Sequence, residues 1–269
     1  KIPGVLANYY KFLFQFQGIQ RQPANVIFSH FKKRPITAAA REALDQPITD
    51  VEIEEVMGSL PLGKQAGPDR IPNAVYRFMP TVFAPLLGKV IREAAANKEL
   101  PSCMIEGDVS VLYKKGDRAE VRNYRPITLL QGAYKIYTRV LTRRLKKVVH
   151  QFVSGAQKGF VPDTFIADCT MLMHLVEAYV NEDTPEPRHG IMLFLDMEKA
   201  FDKCSWDFML EGMQHLGFGA RFISMIKLMY NKDKPPRRRI YANGYYSDWF
   251  EIQSGVAQGC PCSPLLFLI

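Results

Sequence analysis

The chain has 269 residues, 47% of them hydrophobic and 23% charged, with a formal net charge of +8. That length buries a substantial core in one large domain or two small ones, and the composition excludes a disordered or fibrous chain. No apolar run reaches the roughly 18–20 residues that span a bilayer, and five scattered cysteines, Cys103, Cys169, Cys204, Cys260 and Cys262, argue against a disulfide framework and for a reducing, intracellular compartment. The chain starts at Lys1 with no basic-then-apolar leader, as expected of an internal piece of a longer protein.

In chain order, Thr49 and Glu52 form a capping-box pattern, with Ile53, Val56, Met57 and Leu60 at helical spacing and Pro61 as the stop. Residues 62–72 read as a loop rich in Gly, Pro and Asp, and a short helix starts near Pro72. Phe83, Leu86, Leu87, Val90, Ile91 and Ala94 mark the apolar face of the next helix. Residues 109–113 predict a strand and 114–117 its turn. Tyr137, Leu141, Leu145 and Val149 step by four, with Ile136, Val140 and Val148 beside them, which predicts an amphipathic helix.

After a polar loop at 181–190, the uninterrupted apolar run 191–195 predicts a buried strand. Residues 206–216 predict a helix with Ser205 at its cap and Gly217 past its end, and 220–230 a second. Asn243-Gly244 supplies two positive-φ residues for a hairpin over 240–252. A Gly/Pro-rich loop at 255–264 leads into a last apolar stretch.

The charge is clustered. Between residues 114 and 147 lie Lys114, Lys115, Arg118, Arg122, Arg125, Lys135, Arg139, Arg143, Arg144, Lys146 and Lys147, opposed only by Asp117 and Glu120. A second run holds Lys232, Lys234, Arg237, Arg238 and Arg239 against Asp233. Such runs are either solvated helix faces or phosphate-binding surfaces; two of them in one chain favour a nucleic-acid partner. Asp196 closes the predicted buried strand. A carboxylate there either caps the following turn or meets a divalent cation, and Mg²⁺ held by one or two carboxylates plus substrate phosphates satisfies that chemistry. Other motifs fail on spacing. Gly63-Lys64 lacks the P-loop frame, Cys260-x-Cys262 is too tight for a zinc knuckle, and the five histidines show no zincin pattern.

Five blocks in order complete the picture: Gly63-Lys64-Gln65-Ala66-Gly67-Pro68-Asp69; Asn123-Tyr124-Arg125-Pro126-Ile127-Thr128-Leu129; Gln157-Lys158-Gly159-Phe160; Leu195-Asp196 through Phe201-Asp202; and Gly255-Val256-Ala257-Gln258-Gly259-Cys260-Pro261-Cys262-Ser263-Pro264. Over roughly residues 48–269 the chain resembles the reverse transcriptase domain of LINE-type (non-LTR) retrotransposons; group II intron reverse transcriptases, which share several blocks, are the alternative subclass. The resemblance implies an α/β (α+β) right-hand polymerase fold, helix-rich with a small mixed or antiparallel sheet. It implies an N-terminal helical extension at 1–60, fingers at 61–189 and part of the palm at 190–269.

The activity implied is RNA-directed DNA synthesis by two-metal nucleotidyl transfer onto a primer 3′-OH. Its partners are an RNA template, a DNA primer or target DNA, and dNTPs, with no membrane. Its metals are two Mg²⁺ ions, with Mn²⁺ as a substitute. Its compartments are the cytoplasm and nucleus of a retroelement ribonucleoprotein. By the same resemblance Asp196 and the main-chain carbonyl of Met197 are metal contacts, and Phe201 is a steric gate against a 2′-OH. Lys114, or its neighbour Lys115, and Arg125 form a triphosphate clamp. Gln258 and Gly259 line the nucleotide pocket. Lys158 and the cations Arg143, Arg144, Lys146 and Lys147 face nucleic acid, while Asp202 is left as a possible helix cap.

Two departures stand out. The family's Asp-Asp block, which supplies further metal-binding carboxylates, does not occur in these 269 residues, and neither thumb nor endonuclease is visible. The fragment by itself is therefore expected to be inactive, and a non-catalytic nucleic-acid-binding remnant is the competing reading. Arg70 stands where the family usually has Gly, which alters the loop's φ or adds a phosphate contact.

Overall fold

Local signals in the sequence convert directly into elements in the computed structural model, which describes residues 2–16, 18–31, 35–182 and 191–269. The chain opens with three helices, α1 (Ile2–Leu13), α2 (Arg21–Phe31) and α3 (Ala38–Asp45). Thr49 then caps α4 (Asp50–Gly58): its hydroxyl accepts from the Glu52 N–H while the Glu52 carboxylate accepts from the Thr49 N–H, closing the predicted capping box. The loop that follows carries Arg70 at φ 58°, a glycine-like conformation in a residue that has a Cβ. Pro72 sits at the N-cap of α5 (Asn73–Phe78), and α6 (Pro80–Asn97) begins on a proline. Of its expected face, Leu87, Ile91 and Ala94 are buried but Leu86 is exposed.

The short α7 (Ser102–Ile105) leads into β1 (Gly107–Tyr113), which turns back antiparallel into β2 (Tyr124–Leu130). The amphipathic helix is α8 (Gly132–Lys146), followed by α9 (Val149–Phe152) and α10 (Ala167–Val180). Past residues 191–204 come α11 (Trp206–His215), capped by Ser205 as expected, and α12 (Ala220–Lys227). β3 (Arg237–Ala242) and β4 (Tyr245–Tyr246) flank Asn243 and Gly244, at φ 53° and 84°. β5 (Phe250–Glu251) and α13 (Ser263–Phe267) complete the chain.

The sheet order is β2-β1-β3-β4, with β3 parallel to β1 and β5 also paired to β3. This is the small mixed sheet in a helix-rich chain that the resemblance implied. One contiguous core runs from Leu6 and Tyr10 of α1 through Tyr137 and Leu141 of α8 to Leu265 and Ile269. The first 60 residues are thus woven into the same core as the rest, with α1 against β3, α2 against α11 and α3 against α12.

One expectation is corrected. Residues 191–195 are not a buried strand: they form no ladder, and Ile191, Phe194 and Leu195 are 97%, 74% and 85% exposed. A strand needs a neighbour whose N–H and C=O groups face it. The outer edge of β2 is already taken, because the Thr128 N–H donates to the Gln258 carbonyl (2.7 Å). The polar loop expected at 181–190 lies, beyond residue 182, outside the described residues.

Candidate active site

A cleft of about 840 Å³ opens beside the outer edge of β2. Lys114, at the end of β1, and Arg125, on β2, line one side together with Lys115. Asp196, Met197 and Phe201 come from the segment that follows residue 195, and Gln258 and Gly259 from the loop before α13. Seven residues expected to act on nucleotide and metal, spread over 146 positions of sequence, therefore share one wall-to-wall space. Lys115 lies in it beside Lys114, so the structure keeps both as clamp candidates.

Backbone hydrogen bonds and two unusual conformations hold these pieces together. Gly259 has φ 132°, and a Cβ there would run into the Thr128 carbonyl; only glycine lets the loop lie this close to β2. The Val256 N–H donates to the Phe201 carbonyl (2.8 Å) and the Gly255 N–H to the Cys204 carbonyl (2.8 Å), zipping the loop to the Asp196 segment. Lys199, itself at φ 54°, donates from Nζ to the Tyr124 carbonyl (2.9 Å), which also accepts from Tyr10 Oη (3.3 Å). One carbonyl thus joins the Asp196 segment, the Arg125 strand and helix α1.

Asp202 is not the helix cap; Ser205 fills that role. The Asp202 carboxylate is 1% exposed, and its Oδ1 accepts from Gln258 Nε2 (2.9 Å), while Oδ2 is buried with no hydrogen-bond partner. Burial pushes its pKa up, against the opposing pull of the Gln258 amide and the Lys199 ammonium. Its role is to fix the Gln258 side chain. The half-buried Phe201 ring stacks on Phe267, with centroids 4.8 Å apart and planes at 17°, and meets Phe160 edge-on at 6.3 Å.

The expected nucleic-acid cations divide. Arg143 and Lys146 are exposed on α8, where Arg143 donates to Ser59 Oγ (2.8 Å) and pairs with Glu55 (3.4 Å). Lys147 is also exposed but lines a separate hollow beside Glu52. Arg144 must be corrected. Its side chain is 8% exposed and forks onto both Glu52 oxygens (2.7 Å each), with its other N–H groups on the carbonyls of Leu44, Gln46 and Pro47. All of its donors are spent inside the protein, which leaves none for a phosphate. Lys158 pairs with Asp168 (3.1 Å), away from the cleft lining. Lys199, Tyr10 and the Asp202–Gln258 contact had no sequence signal beyond the Phe201-Asp202 pair, because all depend on residues distant in the chain.

Among the described residues, no group of three His, Cys, Asp or Glu side chains is placed to hold a metal ion. Asp196 and Met197 nonetheless both line the cleft, and a carboxylate and a main-chain carbonyl are hard oxygen donors of the kind Mg²⁺ takes alongside substrate phosphates. They fit as part of such a shell. No described helix is long and apolar enough to cross a membrane.

The reverse transcriptase (RNA-dependent DNA polymerase) family matches residues 113–269. A 149 kDa protein of transposon TX1 from Xenopus laevis is 29% identical over 235 residues, 86% of this chain and 17% of that protein. The probable RNA-directed DNA polymerase from transposon BS of Drosophila melanogaster is 26% identical, over 83% of this chain and 24% of its own length. The RNA-directed DNA polymerase from mobile element jockey of the same organism is 25% identical over the same shares. The chain thus spans about a sixth to a quarter of the relatives it matches. The chain belongs to the reverse transcriptase family and resembles its non-LTR retrotransposon members.

Proposed function

We propose that this chain forms the nucleotide-binding part of an RNA-directed DNA polymerase, comprising the fingers (61–189) and the first part of the palm (190–269). The complete polymerase adds dNTPs to a DNA primer on an RNA template. The observation that carries the reading is the convergence of Lys114, Arg125, Asp196, Phe201, Gln258 and Gly259 on one cleft. Arg125 presents a fork to two phosphate oxygens of the incoming triphosphate, and Lys114 or Lys115 adds a point charge. The Asp196 carboxylate and the Met197 carbonyl are the groups that would hold Mg²⁺. When bound, the metal lowers the pKa of the primer hydroxyl and neutralises charge on the transferring phosphoryl group. Gln258, fixed by Asp202, lines the sugar side of the pocket, and the Phe201 ring, braced by Phe267, occupies the space a 2′-OH would need. A retroelement enzyme of this kind acts in the cytoplasm and nucleus.

The test is primer extension by the full-length protein with RNA template, DNA primer, dNTPs and Mg²⁺. Asp196→Asn is expected to abolish synthesis while leaving the melting temperature unchanged, because the side chain is solvent-exposed. Synthesis retained in that variant overturns the assignment.

A further inference from the structure

A cavity of about 530 Å³ lies between helices α6 and α12 and the linker that joins α3 to α4, and it shares no lining residue with the nucleotide cleft. Its floor is apolar: Ile48, Ile91, Tyr137, Met225 and Leu228 line it, all buried. The one hydroxyl among them, Tyr137 Oη, already donates to the Met225 carbonyl (2.7 Å). An occupant therefore meets apolar side chains there and no free hydroxyl.

The flanks are cationic. Arg92, Ala95 and Lys98 follow at three-residue steps on one side, and Arg221, Ser224 and Lys227 on the other. Each flank is thus a cation, a small residue and a cation, about 9 Å from end to end at the helical rise. The small residues leave the mouth open above the floor. No Asp or Glu among the described residues lines the cavity.

The two ends differ. At one, Arg92 pairs with Asp50 (2.8 Å) and Arg221 donates to the Asp45 carbonyl (3.3 Å), on either side of Pro47 and Ile48, which close that end. At the other, Asn231, just past α12, donates from Nδ2 to the carbonyl of Lys98, the C-cap of α6 (3.3 Å). That contact brings the C-terminal ends of the two helices together, with Lys98 on one and Lys227 on the other. Both lysines are exposed, and neither ammonium has a partner among the described residues. The walls are anchored from behind, since Arg144 holds the Pro47 carbonyl (2.9 Å) and the Tyr137 bond ties α8 to α12. The space is therefore preformed and of ligand size.

We propose that this cavity binds a single-headed amphipathic anion: a compact aromatic or alicyclic body carrying one carboxylate, sulfonate or phosphate. The body fills the apolar closed end, and the acidic group meets Lys98 and Lys227 at the open one. A nucleic-acid strand fits less well, because it carries charge along its whole length while both arginines are already engaged and the apolar floor takes no polar backbone.

The experiment titrates two fluorescent probes of one shape into the full-length protein: anilinonaphthalene sulfonate, and N-phenylnaphthylamine, which is the same body without the sulfonate. Both should show a saturable component that Ala95→Trp weakens by about tenfold or more, because the indole takes the apolar space the probe would bury. Ser224→Trp, from the opposite flank, should do the same; both positions are exposed, so the melting curves should match the parent's. The sulfonate should bind about fivefold tighter than the neutral probe at low salt, and Lys98→Gln combined with Lys227→Gln should erase that advantage while leaving the neutral probe unaffected. Added salt should shrink it in the same way. Fluorescence unaltered in both tryptophan variants overturns the cavity as the site, and an advantage that survives the double lysine variant overturns the anionic head. Displacement of the sulfonate by a short single-stranded oligonucleotide but not by naphthalene carboxylate makes the surface a nucleic-acid contact and overturns the proposal too. No step involves synthesis, so the result is independent of the Asp196→Asn test.

Discussion

Asp202 carries an electrostatic cost that the site retains. A buried carboxylate with one oxygen unpartnered is desolvated more than its single hydrogen bond and a neighbouring ammonium repay, so its pKa is raised. The sign of the pH dependence follows. The folded state holds this proton more tightly than the unfolded chain, so the residue costs nothing below the unfolded carboxylate pKa. Stability is lost as pH rises from that value through the raised folded one, and the penalty is constant above it. Asp202→Asn keeps an oxygen for the Gln258 amide and removes the charge. Thermal unfolding should show the variant matching the parent in acid and melting above it at neutral pH; a variant that melts lower at neutral pH would show the charge to be stabilising. On the function proposed above, sugar selection belongs to the same scale. Phe201 is held by Phe267 and Phe160, so Phe201→Ala should open space for a 2′-OH and raise rNTP incorporation relative to dNTP by about tenfold or more. Unchanged discrimination in competitive primer extension would remove the gate.

At the scale of elements, Arg144 staples α8 to the α3–α4 junction. It closes the last carbonyls of α3 and the linker after it, and it pairs with the same Glu52 that completes the α4 capping box. Burial acts to raise the Glu52 pKa, but hydrogen bonds from Arg144 and Thr49 outweigh it and the net shift is downward. This contribution is present above the unfolded carboxylate pKa and is lost as pH falls through the folded one, so the junction loosens in acid. Arg144→Ala leaves three carbonyls and a carboxylate without their donor and should cost about 3–5 kcal/mol in denaturant unfolding. Arg144→Lys should recover only part, since one ammonium cannot reproduce the fork. A loss below about 1 kcal/mol in the alanine variant would show that water replaces the guanidinium freely.

Across the whole molecule, the cleft exists because distant segments are tied to one strand. β2 carries Arg125, receives the Gln258 loop along its edge, and offers the Tyr124 carbonyl to Lys199 and Tyr10. Helix α1, although outside the matched stretch 113–269, is part of that arrangement. The apolar residues 191–195 and the exposed Met171, Leu172, Leu175 and Val176 of α10 lie at the opposite extreme, with no core around them.

The sequence by itself determined the elements whose signals are local: the Thr49–Glu52 box, the Ser205 cap, the Asn243-Gly244 turn, and the four-residue stepping of α8. It also determined the residue blocks that meet in the cleft, since their chemistry is legible wherever they fold. Tertiary structure alone decided that Arg144 is a core staple rather than a phosphate ligand, that Asp202 holds Gln258 rather than a helix end, and that 191–195 has no partner strand. Periodicity reports neighbours three or four positions away, whereas Arg144 meets Glu52 across 92 positions and Gln258 meets Asp202 across 56. Burial and strand pairing are set by such contacts, and no local pattern encodes them.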